Sequence, residues 1–125
     1  MSLRNPLSTA KGLGSAKDGT GHWWNQRLTA IALALLTPWF VVFAVGLIGD
    51  GQDAVRRAVA QPLSATLLSS FVLSLFWHAR LGLQVVVEDY VHGAMEIALQ
   101  IAIKFVYALA AIAALLAIGR IVFTA

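Results

Sequence analysis

The chain has no cysteine, which removes disulfides, iron–sulfur ligation and thiolate zinc sites, because each takes its sulfur from the protein. Any metal bound by these side chains takes nitrogen or oxygen ligands. Charge is scarce as well: Asp, Glu, Lys and Arg make up 12% of the 125 residues, whereas 59% are hydrophobic. That leaves too few polar groups to cover a water-soluble domain. Acidic residues are the rarer sign, six against nine basic ones, for a net charge of +3. The Lys and Arg residues lie scattered near segment ends rather than in a basic stripe, which speaks against nucleic acid as a partner. The first stretch, Met1 to Gly21, also lacks the compact apolar region and small-residue cleavage site of a secretory signal. Its four glycines, at 12, 14, 19 and 21, oppose the amphipathic helix of an organellar transit peptide. Residues 1–21 therefore read as a flexible cytosolic tail, and 22–125 as one membrane domain.

What the chain does have is long apolar runs. Leu28 to Ile48 carries no charge and exceeds the roughly 20 residues needed to cross a hydrocarbon core. Pro38 lies inside it, a position tolerated in membrane helices when neighbouring groups satisfy the freed carbonyl. Gly49-Asp50-Gly51-Gln52-Asp53 signals a turn, and Arg56, Arg57 and Gln61-Pro62 continue it as a short polar connection. A second run spans about 63–87 and a third about 97–123, the latter interrupted only by Lys104 and Arg120. The polar link Glu88 to Glu96 contains Gly93 and makes these two spans antiparallel neighbours. The expected fold is all-α: an integral membrane bundle of three helices with its termini on opposite sides. The basic residues Arg4, Lys11, Lys17 and Arg27 outnumber Arg56 and Arg57 of the first loop and Arg120 of the tail. That bias places the amino terminus in the cytoplasm and the carboxyl terminus in the periplasm. Trp23, Trp24 and Tyr90 then share the inner interface, where amphipathic rings settle.

The second run holds the chemistry. It places His78 and Arg80 in apolar surroundings and closes with Glu88-Asp89-Tyr90. An ionisable group at the centre of a bilayer costs roughly 2.5–3.5 kcal/mol on insertion scales, so such residues mark sites where a cofactor, an ion path or a partner compensates them. His78 and Asp89 are eleven residues apart, which puts one above the other on a helix, about 16 Å along the axis. That is too far for one site and suits two stacked sites. Ser70, Ser74 and Gly82 extend the same face as a small polar stripe, which plain helix packing also explains. From the residues alone, His78 is open to haem ligation, a proton relay or a hydrogen bond between helices. Asp89 and Tyr90 suit either an interfacial anchor or a site at which a phenol donates to a quinone carbonyl beside a proton-carrying carboxylate. Arg80 lies about 200° around the helix from His78 and is not in the same pocket. It either snorkels or pairs with a partner subunit, and Lys104 reaches the inner interface along its stem. Arg27, beside Trp23 and Trp24, is placed for an anionic group or a lipid phosphate. His22 and His92 are not specific on their own.

The run His78-x-Arg80-x-Gly82-x-Gln84 followed by Glu88-Asp89-Tyr90 resembles the small cytochrome b membrane-anchor subunit of succinate dehydrogenase, respiratory complex II. The stretch Trp23-Trp24-x-Gln26-Arg27-x-Thr29-Ala30 looks familial too, and the resemblance covers the chain from about His22 to its end. That family has three transmembrane helices and a second-helix histidine followed eleven and twelve residues later by an Asp-Tyr pair, here His78, Asp89 and Tyr90. The resemblance implies that His78 is one axial ligand of haem b iron, shared with a companion anchor subunit that completes the bundle. It implies that Tyr90, with Asp89, forms part of the ubiquinone site, and that Arg27 and His22 lie near the haem propionates. It further implies an iron–sulfur subunit and a flavoprotein as partners; no flavin- or succinate-binding feature occurs in this chain. On this reading the chain is a non-flavin subunit of an enzyme in the bacterial inner membrane, not an enzyme alone. The rival readings are a purely structural anchor without haem and a small proton-coupled transporter subunit relaying through His78 and Asp89.

Overall fold

The computed structural model describes residues 17–125, and every regular element in it is helical. Helix α1 spans Lys17–Gly46, α2 Gln52–Ala60, α3 Pro62–Tyr90 and α4 Ala94–Thr124. Three of them, α1, α3 and α4, are long and apolar enough to cross a membrane. Residues 1–16 of the expected tail lie outside the described residues, and positions 17–21 belong to α1.

Helix α1 starts well before the uncharged run. Glycines 19 and 21 each lower helix propensity by up to about 1 kcal/mol, yet the turn that follows is tied together at four-residue spacing. The Arg27 guanidinium lies over the Trp23 ring at 5.1 Å, and such i,i+4 pairs support a helix locally. The helix also continues through Pro38, whose missing N–H leaves the Ala34 carbonyl without its usual partner.

The connection expected to be irregular holds α2. Its sequence sets Val55 and Val59 one turn apart with Arg56 and Arg57 pointing away. Val59 is buried at 8% exposure, while both arginines are exposed. This short amphipathic helix packs on α3 and α4 at the far end of the bundle from Tyr90. Pro62 opens α3 at a position where its missing N–H costs nothing. The α3–α4 link shrinks to Val91, His92 and Gly93, with Gly93 at φ 76°. Only glycine adopts that backbone without strain, so the reversal takes three residues rather than the longer link the sequence suggests.

Both long-helix contacts are antiparallel. Following α1 backwards from Phe40 to Thr29 to His22, its partners on α3 advance from Phe71 to His78 to Gly82 and Val85. Phe40 and Phe71 stack at 4.5 Å with ring planes 10° apart. On the other flank Phe76 meets Tyr107 edge-on at 6.1 Å, and Gln100 Nε2 donates to the Gln84 carbonyl at 3.2 Å. Among the described residues α1 and α4 touch α3 but not each other. The spans therefore form a layer with α3 in the middle. Among the described residues only Val59, Phe71, Leu81, Val87, Ile103 and Ile118 are buried apolar residues. Such a layer suits a bilayer, where lipid tails accept apolar side chains and helices associate by packing and hydrogen bonds. Two hydroxyls of α3 are satisfied within the helix: Thr66 donates to Pro62 O at 2.7 Å and Ser70 to Thr66 O at 2.9 Å.

Candidate functional site

The site is built where the first turns of α1 cross the second half of α3. His78 is half-buried, and its Nδ1 lies 3.0 Å from Thr29 Oγ1. Thr29 is in turn held against its own helix, 2.8 Å from Asn25 O and 3.0 Å from Gln26 O. A histidine in an apolar span is thus tied to a hydroxyl rather than left unpaired, which lowers the cost of placing it there.

One turn further along α3, Gly82 and Val85 form the floor of a groove of about 550 Å³ whose wall is His22, Trp23, Gln26 and Arg27. Among the described residues its lining holds an imidazole and a guanidinium and no carboxylate, which suits an anionic group. Two further features make it receptive. His22 Nε2 is buried and has no hydrogen-bond partner among the described residues, which is a cost unless something else supplies one. A Cβ built on Gly82 meets nothing within 4 Å, so the missing side chain leaves open space. Trp23 and Trp24 meet edge-on at 5.0 Å and are about half exposed, as expected of an interfacial belt.

Asp89 and Tyr90 close α3 as its last helical turn, on the same end of the bundle as the Trp pair. Both are exposed, Tyr90 at 81%. The phenol is therefore presented at the edge of the bundle. Gln84 Nε2 donates to Glu88 Oε1 at 2.9 Å along the neighbouring face. His78 and Asp89 keep the register read from the sequence, separated by three helical turns, about 16 Å.

Other residues fall elsewhere. Arg80 is on the opposite flank, in a cleft of about 270 Å³ with Phe76, Trp77, Lys104, Tyr107 and Ala108. It lines this cleft together with Lys104 of α4, on the far side of α3 from the His78–Thr29 contact. Ser70 borders a groove formed with Leu115, Ile118 and Gly119 of α4. Eight residues rotate it about 80° from His78, so the polar stripe divides between the two flanks. His92 is exposed in the link. Thr29 belongs to the Trp23–Ala30 motif, and nothing in sequence spacing predicts its contact with a residue 49 positions away. Among the described residues no three His, Asp or Glu side chains gather as an ion-binding set. His78 thus offers a single nitrogen ligand rather than a complete metal site.

Residues 1–118 match the family model described as succinate dehydrogenase/fumarate reductase transmembrane subunit. A protein of Rickettsia bellii named succinate dehydrogenase hydrophobic membrane anchor subunit is 36% identical over 89 residues, 71% of each chain. A Paracoccus denitrificans protein of the same name is 33% identical over 93 residues, 74% of this chain and 72% of that one. The succinate dehydrogenase membrane anchor subunit of Reclinomonas americana is 36% identical over 80 residues, 62% of this chain and 67% of its own. No solved structure matches significantly.

Proposed function

This chain belongs to the succinate dehydrogenase/fumarate reductase transmembrane-subunit family, and we propose that it is the hydrophobic anchor of a succinate:ubiquinone oxidoreductase, sharing haem b with a companion anchor and forming part of the ubiquinone site. The observation that carries the reading is the α1–α3 junction, where His78 stands one turn from a groove lined by Arg27 and by His22, whose buried Nε2 has no hydrogen-bond partner among the described residues. These residues fit a haem. A porphyrin brings four nitrogens to its iron and asks the protein only for axial ligands, which is what a lone histidine can give. Its propionates need cations and N–H donors, and Arg27 and His22 are such groups. When bound, the haem supplies one-electron exchange at an iron with no position left open to substrate.

Ubiquinone reduction takes two electrons and two protons. On this reading the electrons arrive from an iron–sulfur partner docked at the Tyr90 end, itself served by a flavoprotein that oxidises succinate. Tyr90 donates its O–H to a quinone carbonyl oxygen, and Asp89 passes protons from the aqueous edge. The high exposure of Tyr90 is consistent with a pocket whose other walls come from partners. The amino terminus and the Tyr90 end face the cytoplasm under this proposal, following the distribution of basic residues.

The test is to purify the complex through this chain and record the dithionite-reduced minus oxidised spectrum of wild type and His78→Ala. A b-type signal with flavoprotein and iron–sulfur partners, altered or lost in the variant, supports the reading. A complex without haem returns the chain to a structural anchor, and the absence of both haem and those partners favours a transporter subunit.

A further inference from the structure

We propose that Thr29 is a positioning residue that holds His78 in the tautomer with a protonated Nδ1 and a bare Nε2. The proposal rests on the haem reading above and adds which nitrogen faces the iron and what enforces the choice.

The argument is one of counting hydrogens. Three atoms lie within hydrogen-bond distance of Thr29 Oγ1: Asn25 O at 2.8 Å, Gln26 O at 3.0 Å and His78 Nδ1 at 3.0 Å. The hydroxyl has one proton to give. The two carbonyl oxygens can only accept, whereas the imidazole nitrogen can donate or accept according to its tautomer. If the hydroxyl proton went to Nδ1, two carbonyl oxygens would face the oxygen's lone pairs with no hydrogen between. If it goes to the helix carbonyls, as threonine side chains in helices commonly allow, the remaining partner must supply a proton, and Nδ1–H does so. The neutral ring then keeps its lone pair on Nε2. In a half-buried apolar setting the alternative tautomer loses this bond, so the preference is not diluted by water. A donor bond at the distal nitrogen also makes the ligand more electron-rich, as carboxylate and carbonyl partners do for metal-bound histidines.

The experiment compares wild type, Thr29→Val and Thr29→Ser in the purified complex, reading the haem midpoint potential and the low-spin electron paramagnetic resonance signal. Valine keeps the shape and removes the acceptor; serine restores it. The expected result is a raised potential and a shifted signal in Thr29→Val, both returned toward wild type in Thr29→Ser. A Thr29→Val complex that matches wild type in potential and signal overturns the proposal while leaving haem ligation intact. Should Thr29→Val not assemble, or wild type carry no haem, 15N magic-angle-spinning NMR of the wild-type complex with labelled histidine decides. In the dithionite-reduced complex, whose low-spin ferrous iron is diamagnetic, a protonated Nδ1 at His78 supports the assignment and a protonated Nε2 overturns it. A wild type without haem separately overturns the reading in the preceding subsection.

Discussion

Replacing Tyr90 by phenylalanine removes one oxygen from a side chain that is 81% exposed at the end of α3. Because so little of the ring is covered by this chain, the change should alter fold stability by no more than about 0.5 kcal/mol, the usual range for surface substitutions. Assembly and haem content are therefore expected to match wild type. The effect on quinone chemistry depends on what the phenol does, and its size separates two roles. A hydrogen bond that only orients the carbonyl is worth about 0.5–1.5 kcal/mol, or about 2- to 12-fold in kcat/KM at about 1.4 kcal/mol per decade. A phenol that also delivers the proton in the rate-limiting step adds a factor of about 100 to 10,000. The assay is succinate-driven reduction of a short-chain ubiquinone, run beside reduction of an artificial acceptor that takes electrons from the upstream centres. The quinone rate should fall while the artificial-acceptor rate holds. Unchanged quinone kinetics would refute the placement of the substrate at Tyr90, and an equal fall in both rates would show damage to the whole assembly instead.

Gly82 offers a paired test of the groove. Gly82→Ala should be tolerated or stabilising by about 0.5–1 kcal/mol, because the added Cβ meets nothing within 4 Å and alanine is the better helix former; Gly82→Phe fills the groove and should lower haem per flavin, which pyridine haemochrome analysis reads directly. Arg27→Gln removes the guanidinium from the Trp23 ring and the only guanidinium from the groove, so the haem potential should fall as the iron's oxidised form loses a repelling charge, measurable by redox titration. Phe71→Ala deletes a buried ring stacked on Phe40 at 4.5 Å. Lipid competes for apolar surface, so the loss should exceed the about 0.5–1.5 kcal/mol of the aromatic pair but fall short of the 3–5 kcal/mol typical of soluble cores, read as earlier thermal dissociation of the complex.

The three spans were legible because a bilayer demands about 20 apolar residues in a row, a requirement that leaves a mark in any window of sequence. Helix α2 left no such mark. Nine residues with two adjacent arginines look like a polar connection until the burial of Val59 shows which face turns inward. The early start of α1 was hidden by glycines 19 and 21, whose local cost is met by contacts such as Arg27 on Trp23. Within the site, the stacking of His78 over Asp89 followed from helical periodicity, since both lie on one uninterrupted helix. The bond between Thr29 and His78, the groove under His22 and the cleft shared by Arg80 and Lys104 all depend on how one helix slides against another. That register is set by side-chain packing over the whole contact, so no local pattern encodes it.

The layered arrangement also bears on why a companion subunit belongs in the proposal. With α1 and α4 on opposite flanks of α3 and apart from each other, the polar groups of α3 divide between two grooves. His78 and Gly82 face α1; Arg80 faces α4. Leu81, the most buried residue of α3, lies between Arg80 and Gly82 in sequence. Charged side chains line both grooves, Arg27 in one and Arg80 with Lys104 in the other, and the first also holds the buried, unpartnered His22 Nε2. Hydrocarbon is a poor neighbour for such groups: an arginine or lysine at membrane depth costs roughly 2.5–3.5 kcal/mol, and an unsatisfied buried polar atom about 1–3 kcal/mol. A closed three-helix bundle would hide the charged groups in its own interior, but this layer leaves Arg27 and Lys104 exposed at its faces. The energetics therefore favour an assembly in which further helices and a cofactor cover the α1–α3 face. Were haem bound at His78 as proposed, a second protein ligand would come from outside this chain, since His22 lies one turn away along the groove and His92 sits exposed in the α3–α4 link.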